Sequence, residues 1–253
     1  PWPDPVRGLP AKGILDRCTS NNTCPNIVEL AGATEVWALM LTPGWVSATA
    51  GKDIPIPGNV RRYYVPSTTH GGGRGGFDVT PLASPACPGP SFGQGMFAAN
   101  PVPYTETINA LRFHFRNWIM KDTPPPASRW PSLSEGYLVD ATKEAIGFPA
   151  IPGVPASAPT GLINPVLDYD WGANFNYVDA SGVASKIPPA IKHVIRGKVP
   201  RVDADGNELG GVPVVLRDAP LGTYLGWNIT AAGFHQGKIC NYAGGMIPFA
   251  KTK

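Results

Sequence analysis

An α/β fold is predicted for this 253-residue chain, on three observations. Asn26-Ile27-Val28-Glu29-Leu30 is a short β-type run that ends at Ala31-Gly32. Val60 to Val65, Val-Arg-Arg-Tyr-Tyr-Val, is a second and clearer strand, rich in β-branched and aromatic residues. Thr105 to Lys121 reads as a helix, because Ile108, Leu111, Phe115, Trp118 and Ile119 recur at the three-four spacing of one buried face. Arg112, Arg116 and Lys121 then stay solvated.

The connecting segments follow from their punctuation. Residues 1–24 read as an irregular lead-in. After the first strand, Thr34 offers an N-cap for a short helix starting near Glu35. Residues 43–59 are loop, rich in Gly and Pro. Pro66-Ser67-Thr68-Thr69-His70-Gly71 leaves the second strand for a glycine-rich loop that runs, with two proline clusters, to about residue 103. Pro124-Pro125-Pro126 stops the long helix, since proline cannot continue it. Residues 124–190 are Pro-rich and lack periodicity, as expected of an extended segment wrapped over a core laid down elsewhere. The remainder reads as β: a run around Val194–Val202, the turn Asp203 to Glu208, then Val212–Leu216. No internal repeat and no clean linker is visible. The expected division is 1–123 for the strands, the loops after them and the packing helix, and 124–253 for a Pro/Gly-rich, partly β extension.

Composition narrows the class. Hydrophobic residues make up 43% of the chain and charged ones 15%, against roughly 25% charged in soluble domains. Gly and Pro number 30 each, but seven Trp, eight Tyr and nine Phe accompany them, so the chain is folded with long ordered loops. The net charge is +3, and Arg61-Arg62 is the only adjacent basic pair, which gives nucleic-acid binding no support. No apolar run approaches the ~20 residues of a membrane span. Pro1-Trp2-Pro3-Asp4-Pro5 has neither the basic start nor the apolar stretch of a signal peptide, and with no initiating Met a truncated chain is expected. The even set Cys18, Cys24, Cys87 and Cys240 fits two disulfides and export better than buried thiols, and Cys18 and Cys24 flank a polar turn. Their distance from His70, His114, His193 and His235 argues against zinc. Asn21-Asn22-Thr23 and Asn228-Ile229-Thr230 are formal glycosylation sequons.

His70 is the leading candidate for chemistry. It lies just past a strand end, with Gly71-Gly72-Gly73 beside it. A triad histidine needs that placement at the carboxyl edge of a sheet, with small neighbours that admit substrate. The plain alternative is a loop histidine next to a flexible turn. His-Gly-Gly-Gly also resembles a lipase oxyanion-hole motif, which requires a G-x-S-x-G elbow. Neither Gly44-Trp-Val-Ser47 nor Pro90-Ser91-Phe-Gly forms one. The order acid, then histidine, selects Glu35 after the first strand as the partner of His70 after the second. Asp53 competes but precedes its strand. Alone, Glu35 could equally be a favourable charge in a helix's first turn.

Weaker signals read as structure. Asp203-Ala-Asp205-Gly206-Asn207-Glu208 resembles part of a calcium loop but lacks the remainder, so a hairpin turn is favoured. His114 sits among Phe113 and Phe115 on the helix. His193 and His235 have no carboxylate or cysteine at ligand spacing. Asp168-Tyr-Asp170 and Asp179 lie in an aromatic-rich loop that is more readily structural than a pocket wall.

Several stretches, taken in order, resemble the bacterial "alpha/beta hydrolase domain" family of mostly exported proteins. They include Cys24-Pro25, Thr34-Glu35-Val36-Trp37, Asp53 to Pro57, Tyr63 to Gly71, Asn100-Pro101 through Leu111, and Pro125 to Pro131. Phe148 to Gly153, Val202 to Glu208, Thr223 to Asn228 and Pro248-Phe249 continue the series. The resemblance spans nearly the whole chain. It implies the C-terminal portion of an α/β-hydrolase fold, with Glu35 as triad acid, His70 as triad base, and the serine elbow in an N-terminal part that acts as partner. The implied reaction is hydrolysis of a small-molecule ester, needing no metal or organic cofactor, in a secreted or periplasmic setting. The preferred disulfides are Cys18–Cys24 and Cys87–Cys240. The rival class is a non-catalytic secreted binding or structural module on a hydrolase-like scaffold.

Overall fold

The computed structural model of the chain describes residues 2–76, 81–87 and 93–250. Its N-terminal part holds β1 (Trp2–Asp4), β2 (Leu9–Lys12), α1 (Asp16–Ser20), β3 (Ile27–Gly32), α2 (Ala33–Trp37), α3 (Pro43–Val46) and β4 (Val60–Val65). β5 (Ala98–Ala99) and α4 (Thr105–Lys121) follow, then β6 (Leu138–Asp140), α5 (Lys143–Ile146), β7 (Val166–Asp170), β8 (Phe175–Asn176) and β9 (Ser181–Gly182). β10 (Ala190–Ile195), β11 (Lys198–Pro200), α6 (Val215–Asp218), β12 (Gly222–Leu225) and β13 (Gly245–Pro248) complete the order.

β3 and β4 pair in parallel and in register, from Ile27 beside Val60 to Gly32 beside Val65. Their carboxyl ends therefore stop side by side, which sets up everything at the site. The far edge of β4 is covered: Arg129 donates to the Arg62 carbonyl at 2.8 Å and accepts from the Tyr64 amide at 2.9 Å. Among the described residues no strand covers the far edge of β3. The other sheets are small and antiparallel: β1–β2, β7–β10, β6–β11, β8–β9 and the three-stranded β12–β13–β5.

The largest apolar cluster draws on residues 31–64 and 97–239 alike, with Trp37, Trp45, Tyr64, Phe148 and Trp227 among its buried members. Trp227 sits at its centre, with ring centroids 6.0 Å from Trp37, 6.0 Å from Phe97 and 5.7 Å from Phe148. The bridges Cys18–Cys24 and Cys87–Cys240 are both formed. The second spans 153 residues and pins the segment before β13 to the loop before β5. Closing so long a loop is worth up to about 5 kcal/mol in the chain-entropy account of cross-links.

Five expectations need correction. The lead-in is ordered as the β1–β2 hairpin and α1. The 43–59 loop contains α3, started by Pro43 in the first helical position, where its missing N–H costs nothing. Val212–Leu216 is not a strand: α6 begins at Val215, just past Pro213. The extended 124–190 segment carries β6, α5, β7 and the β8–β9 pair, strands too short for periodicity to reveal. On α4, Leu111 and Trp118 are buried as expected, but Ile119 is 54% exposed, so the helix packs a narrower stripe than its spacing suggested.

Candidate active site

Glu35 is the third residue of α2, and its cap is Gly32, not Thr34. The Gly32 amide donates to Glu35 Oε2 at 2.8 Å, half of a capping box. Thr34 turns inward, and its hydroxyl reaches the Gly226 carbonyl at 3.0 Å and the Thr68 carbonyl at 3.2 Å. A glycine is required at position 32, because a Cβ there would sit 2.4 Å from Thr68 Oγ1. That hydroxyl accepts from the Ala33 amide at 3.0 Å, tying the exit of β4 to the exit of β3.

His70 lies five residues past β4. Its Nδ1 is 2.6 Å from Glu35 Oε1. The carboxylate can only accept, so Nδ1 carries the proton, and in the neutral imidazole Nε2 is the nitrogen with a lone pair. No hydrogen bond to Nε2 is present among the described residues. The imidazole is 51% exposed while Glu35 is 17% exposed: a sheltered acid holding an accessible base. The Tyr242 ring packs against the imidazole at 5.4 Å. Thr69 Oγ1 accepts from the Gly244 amide at 2.9 Å, so the segment tethered by Cys240 also braces the histidine loop. Tyr104 lies near Glu35, its phenol pushed up by burial first and by the Glu35 charge second.

The turn that delivers His70 depends on Ser67, a buried non-glycine residue at φ +57°. Such a conformation costs on the order of 1–3 kcal/mol unless its surroundings enforce it. Its carbonyl accepts from Asn100 Nδ2 at 2.8 Å, and its amide donates to Glu208 Oε2 at 2.7 Å. Its hydroxyl accepts from the Glu208 amide at 2.8 Å. In the sequence Glu208 marks only the end of a turn. The turn is real, with the Val202–Glu208 bridge and Asp203 Oδ1 accepting from two amides, but the last residue turns its carboxylate into the core. No sequence signal separates that from an exposed turn glutamate.

Burial pushes the Glu208 carboxyl above its ordinary 4.5, against lowering contacts from Ser67, Tyr64 and Trp37. A carboxyl raised in the fold stabilises it below the unfolded value and loses that contribution as pH climbs through the folded value. In melting curves, the stability advantage of wild type over Glu208→Gln should therefore be largest below pH 4.5 and shrink above it. Parallel pH dependence of the two proteins would contradict the shift.

The remaining candidates fall away from the dyad. Asp53 spends both oxygens on the Leu133 and Ser134 amides, each at 2.9 Å. Ser47 is buried and faces Thr49, while Pro90-Ser91 lies outside the described residues. His193 does have a carboxylate, contrary to expectation: Asp168 Oδ2 is 2.8 Å from its Nδ1, because the β7–β10 register brings together residues far apart in sequence. Asn228 is fully buried, which removes the second sequon as an acceptor. Among the described residues no cluster of three or more His, Cys, Asp or Glu could hold a metal. A cleft of about 840 Å³ lined by Asp53, Trp130, Tyr137 and Arg217 includes neither Glu35 nor His70.

A carboxylate and an imidazole that meet just after two neighbouring parallel strands, in the chain order acid then histidine, form an arrangement used by α/β-hydrolases. The chain belongs to the alpha/beta hydrolase domain family, whose model matches residues 3–253. No curated protein and no solved structure matches it. Membership supports a hydrolase-type function. The small, mixed sheets of the described residues are not the single broad sheet that the family name suggests. No helix among them is long and apolar enough to cross a membrane, and the two disulfides fit an oxidising compartment.

Proposed function

We propose that the chain is the acid–base half of a serine-type hydrolase that cleaves small-molecule esters by acyl transfer. The observation that carries this reading is the 2.6 Å contact between Glu35 Oε1 and His70 Nδ1. A serine oxygen attacks the ester carbonyl carbon, and its proton moves to His70 Nε2. The imidazolium, stabilised by Glu35, then returns that proton to the departing alkoxide. Water attacks the acyl-enzyme, its proton again passing to Nε2, and the serine is released protonated.

In this reading the serine comes from an N-terminal part of the hydrolase. The open edge of β3 supports that assignment. Parallel sheets occur almost only as wider, buried arrays, and a two-stranded parallel pair is a poor stopping point. Residues 1–123 then supply the strand ends and 124–253 pack against them, in a secreted or periplasmic enzyme. The test is covalent labelling with a fluorophosphonate probe. The assembled protein should be labelled on a serine, and the His70→Ala protein should be spared. An unlabelled wild type would favour the non-catalytic binding module instead.

A further inference from the structure

We infer that Glu208 is a positioning residue that clamps the Glu35 arm and the His70 arm of the site together from below; the inference rests on the acid–base reading above. The two catalytic groups stand on different elements. Glu35 rides on α2, and His70 on the loop beyond β4. Glu208 is 3% exposed and reaches both. On the α2 side, Trp37 Nε1 donates to Oε1 at 2.8 Å. On the β4 side, the Tyr64 hydroxyl and the Ser67 amide both donate to Oε2 at 2.7 Å. Tyr64 keeps its proton for this role, because burial and the neighbouring carboxylate raise its phenol well above 10.

Three features make this more than core packing. First, the acceptor oxygens are divided between the arms, one to α2 and one to β4. Second, the β4 arm ends on Ser67, whose φ of +57° reverses the chain toward His70 and is held by the Glu208 carboxylate and the Glu208 amide together. Third, an ionised carboxylate can only accept, which suits three converging donors; an amide cannot do the same. Glutamine at 208 must turn its NH₂ toward one arm. Keeping the two donors on the β4 side satisfied sets that NH₂ against Trp37 Nε1–H, a donor facing a donor. The substitution therefore loosens α2, and with it Glu35, relative to His70.

The test reads the dyad directly. In the full chain, solvent exchange of the His70 Nδ1 proton is measured by imidazole NMR, the signal being assigned by its loss in His70→Ala. Glu208→Gln is compared with the near-isosteric Tyr64→Phe, which removes one donor and keeps the fold, and with Ile146→Val. Ile146 is a buried core residue with no part in the clamp, so its variant controls for general destabilisation. Exchange should quicken about ten-fold in Glu208→Gln and by a smaller factor in Tyr64→Phe, beyond that in Ile146→Val at matched distance below the melting temperature. Should Glu208→Gln fail to fold, Tyr64→Phe against Ile146→Val decides. Exchange no faster than in Ile146→Val overturns the clamp and leaves the dyad standing. A wild-type spectrum lacking the Nδ1 proton overturns the dyad itself, and the inference with it.

Discussion

His70→Ala is expected to remove turnover of an activated ester by the assembled hydrolase, with kcat falling on the order of 10⁶-fold, the scale seen when the base of a serine triad is deleted. In the proposed reaction the exposed imidazole, held through Nδ1 by Glu35, takes the proton from the attacking hydroxyl. Without it the nucleophile must lose its proton to water, and the leaving alkoxide has no acid. The fold should survive. His70 is half exposed and, among the described residues, its ring hydrogen bond runs to Glu35, so the truncation opens no cavity in the core. Steady-state kinetics beside a thermal melt check this. A variant with an unchanged melting point and turnover within ten-fold of wild type would show that His70 does no chemistry.

Glu35→Gln is expected to lower kcat on the order of 10⁴-fold, because the acid's task is to hold the base in its productive tautomer. The geometry explains why so small a change should matter. Glu35 accepts on both oxygens: from His70 Nδ1–H through Oε1 and from the Gly32 amide through Oε2. A glutamine cannot do both. With its oxygen on Gly32, its NH₂ faces Nδ1 and drives the proton to Nε2, where it blocks the attack. With its oxygen on Nδ1, its NH₂ faces the Gly32 N–H and the helix loses its cap, at about 1 kcal/mol. KM should change little, since the carboxylate lies behind the imidazole and away from substrate. A kcat within ten-fold of wild type would mean that another group orients His70.

Two elements, one of which leads into the His70 loop, were legible because their signals are local. Val60–Val65 stands as predicted, four of its six residues being Val or Tyr, which favour a pleated strand, and Thr105–Lys121 is the helix its periodicity foretold. The cap of α2 was misplaced by two residues. Thr34 is a good capping residue in isolation, but the fold takes its hydroxyl for two carbonyls from distant segments, leaving Gly32 to begin the helix. The short strands between 138 and 182 were invisible for a different reason: runs of two to five residues contain too few alternations to stand out from Pro-rich loop.

By itself the sequence singled out Glu35 and His70 as candidates, through the order of an acid and a histidine placed after successive strand-like runs. That information is carried by neighbours along the chain, and so it can be read there. Whether the pair touches was decided by the parallel register of β3 and β4, which puts Gly32 beside Val65 and so sets Glu35 within reach of His70. The tertiary fold alone also recruited Glu208, 138 positions beyond His70 in a turn with no catalytic signature. Burial and hydrogen bonding act through space, and a residue's role in them depends on what the rest of the chain places around it.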